Sequence, residues 1–410
     1  MLYSKIHHLL NYHTGTEVRG WPALDVATPN RPCCVRRCSR EILTVGTLAD
    51  MSAIAHNAKA RCGHKLLMST RPTSALLQFS GVAFGSKTVA SEEIDAAFGM
   101  PAGKLRNRAG ILTLAHAAAQ ETELTLAARA ARSTLQSADL RPDSLDWIIA
   151  TSETHHAFPS LAAQLHLAIG AKESCGAMDV GGACLGLLHA VAVAKSFVET
   201  GRSRTALVVT ADLHSRTLTP GRVAGEFGGL FGDGASAFLV QRDINSANRE
   251  CFVVKDFFFG CASQLQGAIQ VKAEPEDRLH VVFDGDALSR AATARLDQCI
   301  RELEGLSGIP REQVAAFATH QPNPRLVALL AKKSGVAVER FPAVADTRGN
   351  LGSTTCAAAL HLALEAASSK ETASRRAIFL ASLGPGLLYG GGWLAPASER
   401  IPTNGLGSAL

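Results

Sequence analysis

The alternation of short apolar segments with helical segments along residues 74–395 constrains the fold of this chain most strongly. Buried-type strands are predicted at residues 147–151 and 206–210, and helices at 161–169 and 184–200. The second half of the chain shows the same alternation of short apolar strands and helices. Short strands alternating with helices are typical of mostly parallel sheets covered on both faces. We therefore predict an α/β protein whose two similar halves pack into five αβαβα layers.

The chain divides into four predicted parts. Residues 1–73 hold ten Lys/Arg and four Asp/Glu without sustained periodicity, and we interpret them as a disordered leader or a mis-called start, with Met68 as the natural start. Their Arg-rich, acid-poor composition also resembles an organellar transit segment. Residues 74–245 and 246–395 form the two halves, and residues 396–410 form a loose tail.

Charge and cysteine usage exclude several classes of function. After residue 73 the chain holds 31 basic and 32 acidic residues and no basic stripe, so nucleic-acid binding is disfavoured. The sequence contains no uninterrupted apolar run of about 18 residues, so we predict no membrane-spanning helix. Ten scattered cysteines favour free thiols in a reducing cytoplasm. Cys33, Cys34 and Cys38 form a cluster without CxxC pairs, so we predict no metal site.

Cys184 is the first candidate for chemistry, since it lies between a predicted strand and a predicted helix. Gly181 and Gly182 permit a tight turn before it. At a helix N-terminus the dipole and free amides favour a thiolate, and one amide serves an oxyanion hole. A small buried hydrophobe explains the local pattern equally well.

His320 and Asn350 are the next candidates. His320 ends a predicted strand, where open α/β sheets place their ligands. Asn350 stands just before a predicted helix. A core histidine and an N-cap asparagine are the simpler interpretations of each residue alone.

Taken together, the order cysteine, histidine, asparagine resembles the β-ketoacyl-ACP synthase III family of the thiolase fold. The resemblance covers about residues 74–395, and seven motifs occur in the family's order. They are DVGGACLG at 179–186, HQPNPR at 320–325, GN at 349–350, FGDGA at 231–235, RAGI at 108–111, HAFPS at 156–160 and LGPG at 383–386.

The resemblance implies a ketosynthase reaction. Cys184 attacks an acyl-CoA or acyl-carrier thioester and stores the acyl group. Loss of carbon dioxide from a malonyl thioester, expected as malonyl-ACP, gives an enolate whose oxygen His320 and Asn350 hold. The amides of Cys184 and Gly386 form the implied oxyanion hole. CoA or phosphopantetheine thioesters are substrates, and no metal or redox cofactor is implied.

Three further residues receive roles through the resemblance. Arg108 and Arg325 match positions that meet the pantetheine-bearing partner, an acyl carrier protein, and arginine suits phosphate recognition. Phe158 matches a position that reaches the neighbouring subunit's acyl pocket, which implies a homodimer. Solvated surface arginines and ordinary core packing of Phe158 are the alternatives.

The sequence departs from the family pattern at three places. Lys104 replaces the tryptophan that stacks on adenine, Arg222 has no confident match, and Pro385 interrupts the glycine loop. These departures favour a carrier-bound acyl donor and a member of specialised metabolism. Two alternative functions are a same-fold acyltransferase that forms an ester or amide without decarboxylation, and a non-catalytic partner subunit. The intact residue set favours the ketosynthase.

Overall fold

The computed structural model describes residues 73–243, 251–273, 279–369 and 376–397. The predictions for the leader, for a start at Met68, for the Cys33–Cys38 cluster and for the tail after residue 397 lie outside these residues. No helix in the described ranges is both long enough and apolar enough to cross a bilayer.

Nine of the described strands form one mixed sheet in the order β11-β12-β13-β8-β1-β7-β6-β4-β5, and two hairpin-like sheets pair β2 with β3 and β9 with β10. The strands are β1 Ala75–Phe84, β2 Lys87–Ala90, β3 Thr113–His116, β4 Trp147–Thr151, β5 Gly176–Asp179, β6 Thr205–Leu213, β7 Asp233–Arg242, β8 Phe252–Cys261, β9 Ile269–Ala273, β10 Leu279–Phe283, β11 Ala316–Thr319, β12 Ile378–Gly384 and β13 Leu388–Pro396.

The large sheet consists of two groups of strands with the same order. In the first group β1, β7, β6, β4 and β5 lie side by side, and in the second group β8, β13, β12 and β11 do. Each group begins with the first strand of its half, followed by the last strand of that half. The groups join where Leu76 pairs with Val253 and Leu77 with Phe252. The repeated order confirms the prediction of two similar halves.

Helices complete five layers. Helices α2 and α3 pack on the outer face of the first group, α4 and α9 pack between the groups, and α6 and α7 cover the outer face of the second group. This arrangement confirms the predicted αβαβα layering. The helices are α1 Ser91–Ala97, α2 Glu123–Ser137, α3 Leu161–Ile169, α4 Gly186–Glu199, α5 Gly225–Gly228, α6 Gly285–Ser307, α7 Pro324–Ser334, α8 Ala345–Arg348 and α9 Ser353–Ser368.

The glycine-rich stretch before Trp393 differs from its prediction. We expected residues 384–392 to lead into a short strand at 393–394, but β13 runs over Leu388–Pro396. Its glycines 390–392 face three consecutive phenylalanines on β8, at positions 257–259. A Cβ atom at any of these glycines would lie 2.3–2.7 Å from a phenylalanine ring atom. The glycines therefore make room for aromatic rings within strand β13, whose pairing with β8 shifts register between Gly392 and Leu394.

Candidate active site

The predicted site residues follow the carboxyl ends of strands. Cys184 comes after β5 and His320 comes directly after β11. Strand β4 pairs parallel to both β5 and β6, and β11 pairs parallel to β12. Since the carboxyl ends of parallel strands meet at one edge, this edge is where an open α/β sheet binds ligands.

The turn that carries Cys184 is sterically demanding. Gly182 has φ 137° and Ala183 has φ 48°, whereas Gly181 needs no such conformation, contrary to our expectation. Residues Ala183–Leu185 form a 3₁₀ turn, so α4 begins at Gly186 and not at Cys184 as predicted. A Cβ at Gly186 would lie 2.1 Å from the Thr151 hydroxyl, so this glycine lets β4 approach the turn.

Cys184 is buried, with 7% of the residue exposed. Burial raises the pKa of this thiol well above its ordinary value, and the negative charges of Glu153 and Asp212 raise it further. The thiolate that we expected at the helix N-terminus is therefore not the resting form. Desolvation and two nearby carboxylates outweigh the helix dipole here.

His320 is buried and neutral. Its main-chain N–H donates to the Ala381 carbonyl at 3.0 Å, which extends the β11–β12 pairing. Burial lowers the pKa of its imidazole to about 4. Nδ1 is inaccessible to solvent and has no hydrogen-bond partner among the described residues. The ring is thus an uncharged group that can donate or accept a hydrogen bond.

Asn350 is held by a backbone bridge to Phe231, within the FGDGA segment. Its N–H donates to the Leu230 carbonyl at 2.8 Å, and its carbonyl accepts from Gly232 N at 2.9 Å. The side-chain Oδ1 accepts from Gly352 N at 3.0 Å and from the Thr355 hydroxyl at 3.1 Å. Because both bonds use the oxygen, the amide N–H groups remain as donors.

Glu153 connects the three predicted residues. Its carboxylate interacts with the Cys184 thiol and, through its charge, with His320. A Cβ at Gly352, two residues after Asn350, would lie 3.0 Å from Glu153 Oε1. The structure therefore brings Cys184, His320 and Asn350 to one buried region with Glu153 beside them.

Sequence analysis missed Glu153 and its neighbours His214 and Asp212. Glu153 Oε2 lies 3.4 Å from His214 Nε2, and the two side chains are 15% and 6% exposed. Asp212 accepts from the main-chain N–H of Glu153 at 2.6 Å. Glu153 follows β4, and His214 directly follows β6. Both residues follow the carboxyl ends of predicted strands, and this position is the sequence signal that could have identified them.

The carboxyl end of β12, just before the glycine loop, lies against the nucleophile turn. A Cβ at Gly384 would lie 3.5 Å from Cys184 N, and the Ser382 hydroxyl donates to the Cys184 carbonyl at 2.6 Å. Gly386 has φ 79°, and its carbonyl accepts from the Cys261 thiol at 3.6 Å. Pro385 has no N–H to donate. The oxyanion role of Gly386 stays a prediction.

The predicted substrate-binding residues lie at the surface. Arg108 and Arg325 are both exposed, and Arg325 donates to the Asn107 carbonyl at 3.3 Å, which brings the two guanidinium-bearing segments together. Lys104 pairs with Glu226 nearby. Phe158 is 99% exposed, so core packing within this chain does not explain it.

The layered fold and this buried edge define a thiolase-fold protein with a cysteine in the turn after β5. The 3-oxoacyl-[acyl-carrier-protein] synthase III profile matches residues 178–255, and the profile of its C-terminal domain matches residues 306–395. Beta-ketoacyl-[acyl-carrier-protein] synthase III of Escherichia coli strain K12 is 30% identical over 288 residues, which are 69% of this chain and 87% of that protein. The chain belongs to the β-ketoacyl-ACP synthase III family.

Solved structures show the same fold. The synthase III of Aquifex aeolicus VF5 superposes with a TM-score of 0.69 at 24% identity and covers 79% of this chain and 99% of its own. Xanthomonas campestris OleA, in a structure with bound lauric acid and lauroyl-CoA, has a TM-score of 0.70 at 20% identity. The match covers 79% of this chain and 100% of the OleA chain.

Proposed function

We propose that the protein is a decarboxylating ketosynthase. Cys184 takes an acyl group from an acyl-CoA or acyl-carrier donor, and a malonyl thioester, most directly malonyl-ACP, supplies the carbanion. The product is a β-ketoacyl thioester. The observation that carries this proposal is the convergence of Cys184, His320 and Asn350 in one buried region of a synthase III family member.

The electrostatics of the site suit the condensation step. Loss of carbon dioxide leaves negative charge on the thioester oxygen of the malonyl unit. A neutral His320 and the amide of Asn350 stabilise that charge as hydrogen-bond donors, and they act strongly because the site is dry. The low pKa of His320, about 4, keeps the imidazole uncharged at working pH. The enolate carbon then attacks the Cys184 thioester, with the amides of Cys184 and Gly386 as oxyanion donors. When the tetrahedral species collapses, the bond between the acyl carbon and Cys184 Sγ breaks, and the released thiolate takes up a proton.

The surface next to the site supports a pantetheine-bearing substrate. Arg108 and Arg325 are exposed, and Arg325 donates to the carbonyl of Asn107, the residue before Arg108. Arginine forms bidentate contacts with phosphate. Binding of lauroyl-CoA by OleA shows that a protein of this fold accepts a long acyl-CoA. Lys104 occupies the position of the family's adenine-stacking tryptophan and forms an ion pair with Glu226. Because a lysine cannot stack on adenine in that way, we favour a carrier-bound acyl donor.

We also propose a homodimer acting in the cytoplasm. Phe158 projects fully from the surface, as expected for a side chain that enters a partner's acyl pocket. None of the described cysteines is in a disulfide, which fits a reducing compartment.

Single-turnover labelling tests the proposal. The full chain is incubated with radiolabelled acyl-CoA and acyl-carrier donors, with and without malonyl-ACP, beside Cys184→Ala and the buried-cysteine control Cys356→Ala. We expect label on Cys184 only when that cysteine is present, and carbon dioxide release only when malonyl-ACP is added.

Two outcomes would contradict this reaction. Label retained by Cys184→Ala, or no label from any donor, would falsify the acyl-enzyme. Transfer of the acyl group to an alcohol or amine without carbon dioxide release would replace the ketosynthase with an acyltransferase.

A further inference from the structure

The thiol of Cys184 needs a proton acceptor. It is buried in the fold beside the carboxylates of Glu153 and Asp212, and its pKa lies well above its ordinary value. A thiol attacks a thioester as the thiolate, so its proton has to leave during acylation. His320, Asn350 and the oxyanion amides act on developing negative charge, which leaves this proton without an assigned acceptor.

Glu153 is placed to accept the proton of the Cys184 thiol. Its carboxylate interacts with the Cys184 thiol, and its Oε1 is closed to solvent without a hydrogen-bond partner of standard geometry among the described residues. Gly352 makes the position available, since a Cβ there would lie 3.0 Å from Oε1. A buried carboxylate oxygen without a donor is costly, and its persistence at a reaction site indicates a function.

His214 and Asp212 fix the orientation and the charge of Glu153. The imidazole of His214 holds Oε2 at 3.4 Å, and Asp212 holds the main chain of Glu153. Burial alone would raise the pKa of Glu153, but the interactions with the His214 imidazole and the Cys184 thiol outweigh burial and lower it. Burial opposes protonation of His214, yet Glu153, Asp212 and Asp233 raise its pKa. In the Glu153–His214 pair, the ionised carboxylate of Glu153 and the protonated imidazole of His214 therefore favour each other.

We propose that Glu153 is the general base that accepts the Cys184 proton during acylation and returns it to the departing carrier thiol. The S–H bond breaks as Sγ forms a bond to the acyl carbonyl carbon. When the tetrahedral oxyanion collapses, the bond between that carbon and the carrier sulfur breaks. The released thiolate takes the proton from Glu153, so atoms and charge balance without a further reactant. This role rests on the proposed acylation of Cys184.

The pH dependence of single-turnover acylation tests the role of Glu153. For the wild-type protein the logarithm of the rate is expected to be flat between pH 7 and 9, above the Asp212 pKa of about 6, because Glu153 is ionised and the Cys184 thiol is protonated throughout. In Glu153→Gln the rate at pH 7 falls about 10²–10⁴-fold and rises about tenfold per pH unit, since the free thiolate then reacts. Glu153→Asp keeps the flat profile at a reduced rate.

Two controls separate a base from a structural residue. Glu121→Gln removes another buried carboxylate, far along the chain from the reacting thiol, and is expected to leave the profile flat. His320→Ala is also expected to keep the profile flat. A flat profile at the wild-type rate in Glu153→Gln overturns the inference, and so does a sloping profile that appears in His320→Ala instead.

Alkylation separates failure of this inference from failure of the proposed function. Iodoacetamide needs no acyl donor, and mass spectrometry of the Cys184 peptide gives the pH midpoint of its reaction. Loss of the Glu153 charge in Glu153→Gln is expected to move that midpoint to lower pH. An unchanged midpoint shows that Glu153 does not face the thiol and overturns the inference, whether or not any donor acylates Cys184.

Discussion

The carboxylate of Asp212 accepts a 2.6 Å hydrogen bond from the hydroxyl of Ser353. Asp212 lies in β6 of the first half, and Ser353 begins α9 of the second half. The same carboxylate accepts from the main chain of Thr354 at 3.3 Å and from that of Glu153 at 2.6 Å. One buried carboxylate thus joins the two halves directly behind the site.

Asp212 makes part of the stability depend on pH. Burial and the charge of Glu153 raise the pKa of Asp212 to about 6. A raised carboxyl pKa stabilises the folded protein below about pH 4, and that contribution is lost as the pH rises through about 6. We expect the free energy of unfolding of the wild type, relative to Asp212→Asn, to fall by about 1–3 kcal/mol between pH 4 and 7.

Urea unfolding of both proteins across this range measures the difference, because carboxylates common to both cancel. A constant difference would contradict the raised pKa. Ser353→Ala serves as a matched control, since it removes one donor to Asp212 and leaves the carboxylate in place.

The glycines of β13 are expected to be intolerant of a side chain. A Cβ at Gly392 would lie 2.3 Å from the ring of Phe257. Gly392→Ala should therefore lower the free energy of unfolding by about 1–3 kcal/mol. Phe257→Leu should relieve part of this loss in the double mutant. Chemical denaturation of the four proteins measures the coupling, and additive effects would contradict the contact.

Gly305 offers a matched control in helix α6. Apart from its chain neighbours and the backbone of its own helix, no described atom lies within 4 Å of the Cβ that Gly305→Ala would add. This substitution should stabilise the protein by up to about 1 kcal/mol.

Local signals explain which elements could be predicted from sequence. The helix at 161–169 was predicted with its observed bounds because Ser160 caps its start and Gly170, with φ 75°, ends it. The helix at 324–334 likewise starts after Asn323, whose Oδ1 accepts from Leu326 N at 2.9 Å. Caps lie next to the elements they delimit, so the sequence alone reveals them.

Long-range pairing explains what could not be predicted. Glycines 390–392 lie in strand β13 opposite phenylalanines that come more than a hundred residues earlier in the chain. The role proposed for Glu153 depends on its contact with His214, which follows a different strand, β6. The helix dipole at Cys184 predicted a thiolate, but burial and the nearby carboxylates, which are tertiary effects, reverse that prediction.

The two exposed arginines are expected to bind the partner and not to act in chemistry. Arg108→Ala and Arg325→Ala should each raise KM for malonyl-ACP about tenfold and leave kcat within about twofold, because each loses a charge-assisted contact with phosphate. The increase should shrink at high salt. Steady-state kinetics at two ionic strengths measure this effect.

Arg202→Ala is the matched control, since Arg202 is exposed and follows α4. An equal rise in KM for that variant would show a general charge effect in place of a binding site.

Phe158 is expected to determine the dimer. Its side chain is 99% exposed, so Phe158→Asp should leave the folding of each chain intact. We expect the variant to sediment as a monomer at concentrations where the wild type is a dimer. Leu306→Asp, at an exposed position of α6, is the control. A Phe158→Asp dimer of wild-type affinity would remove Phe158 from the interface.

His320 is expected to separate the two half-reactions. His320→Ala should keep acylation of Cys184, because the proton of that step goes elsewhere, and should lose condensation by about 10²–10³-fold, because one donor to the enolate oxygen is gone. Since burial lowers the pKa of His320 to about 4, wild-type condensation should not decline between pH 8 and 6 through protonation of this ring. Labelled acyl-enzyme and carbon dioxide release, measured on the same sample, separate the steps. Normal condensation by His320→Ala would contradict the role, and so would a loss of acylation as large as the loss of condensation.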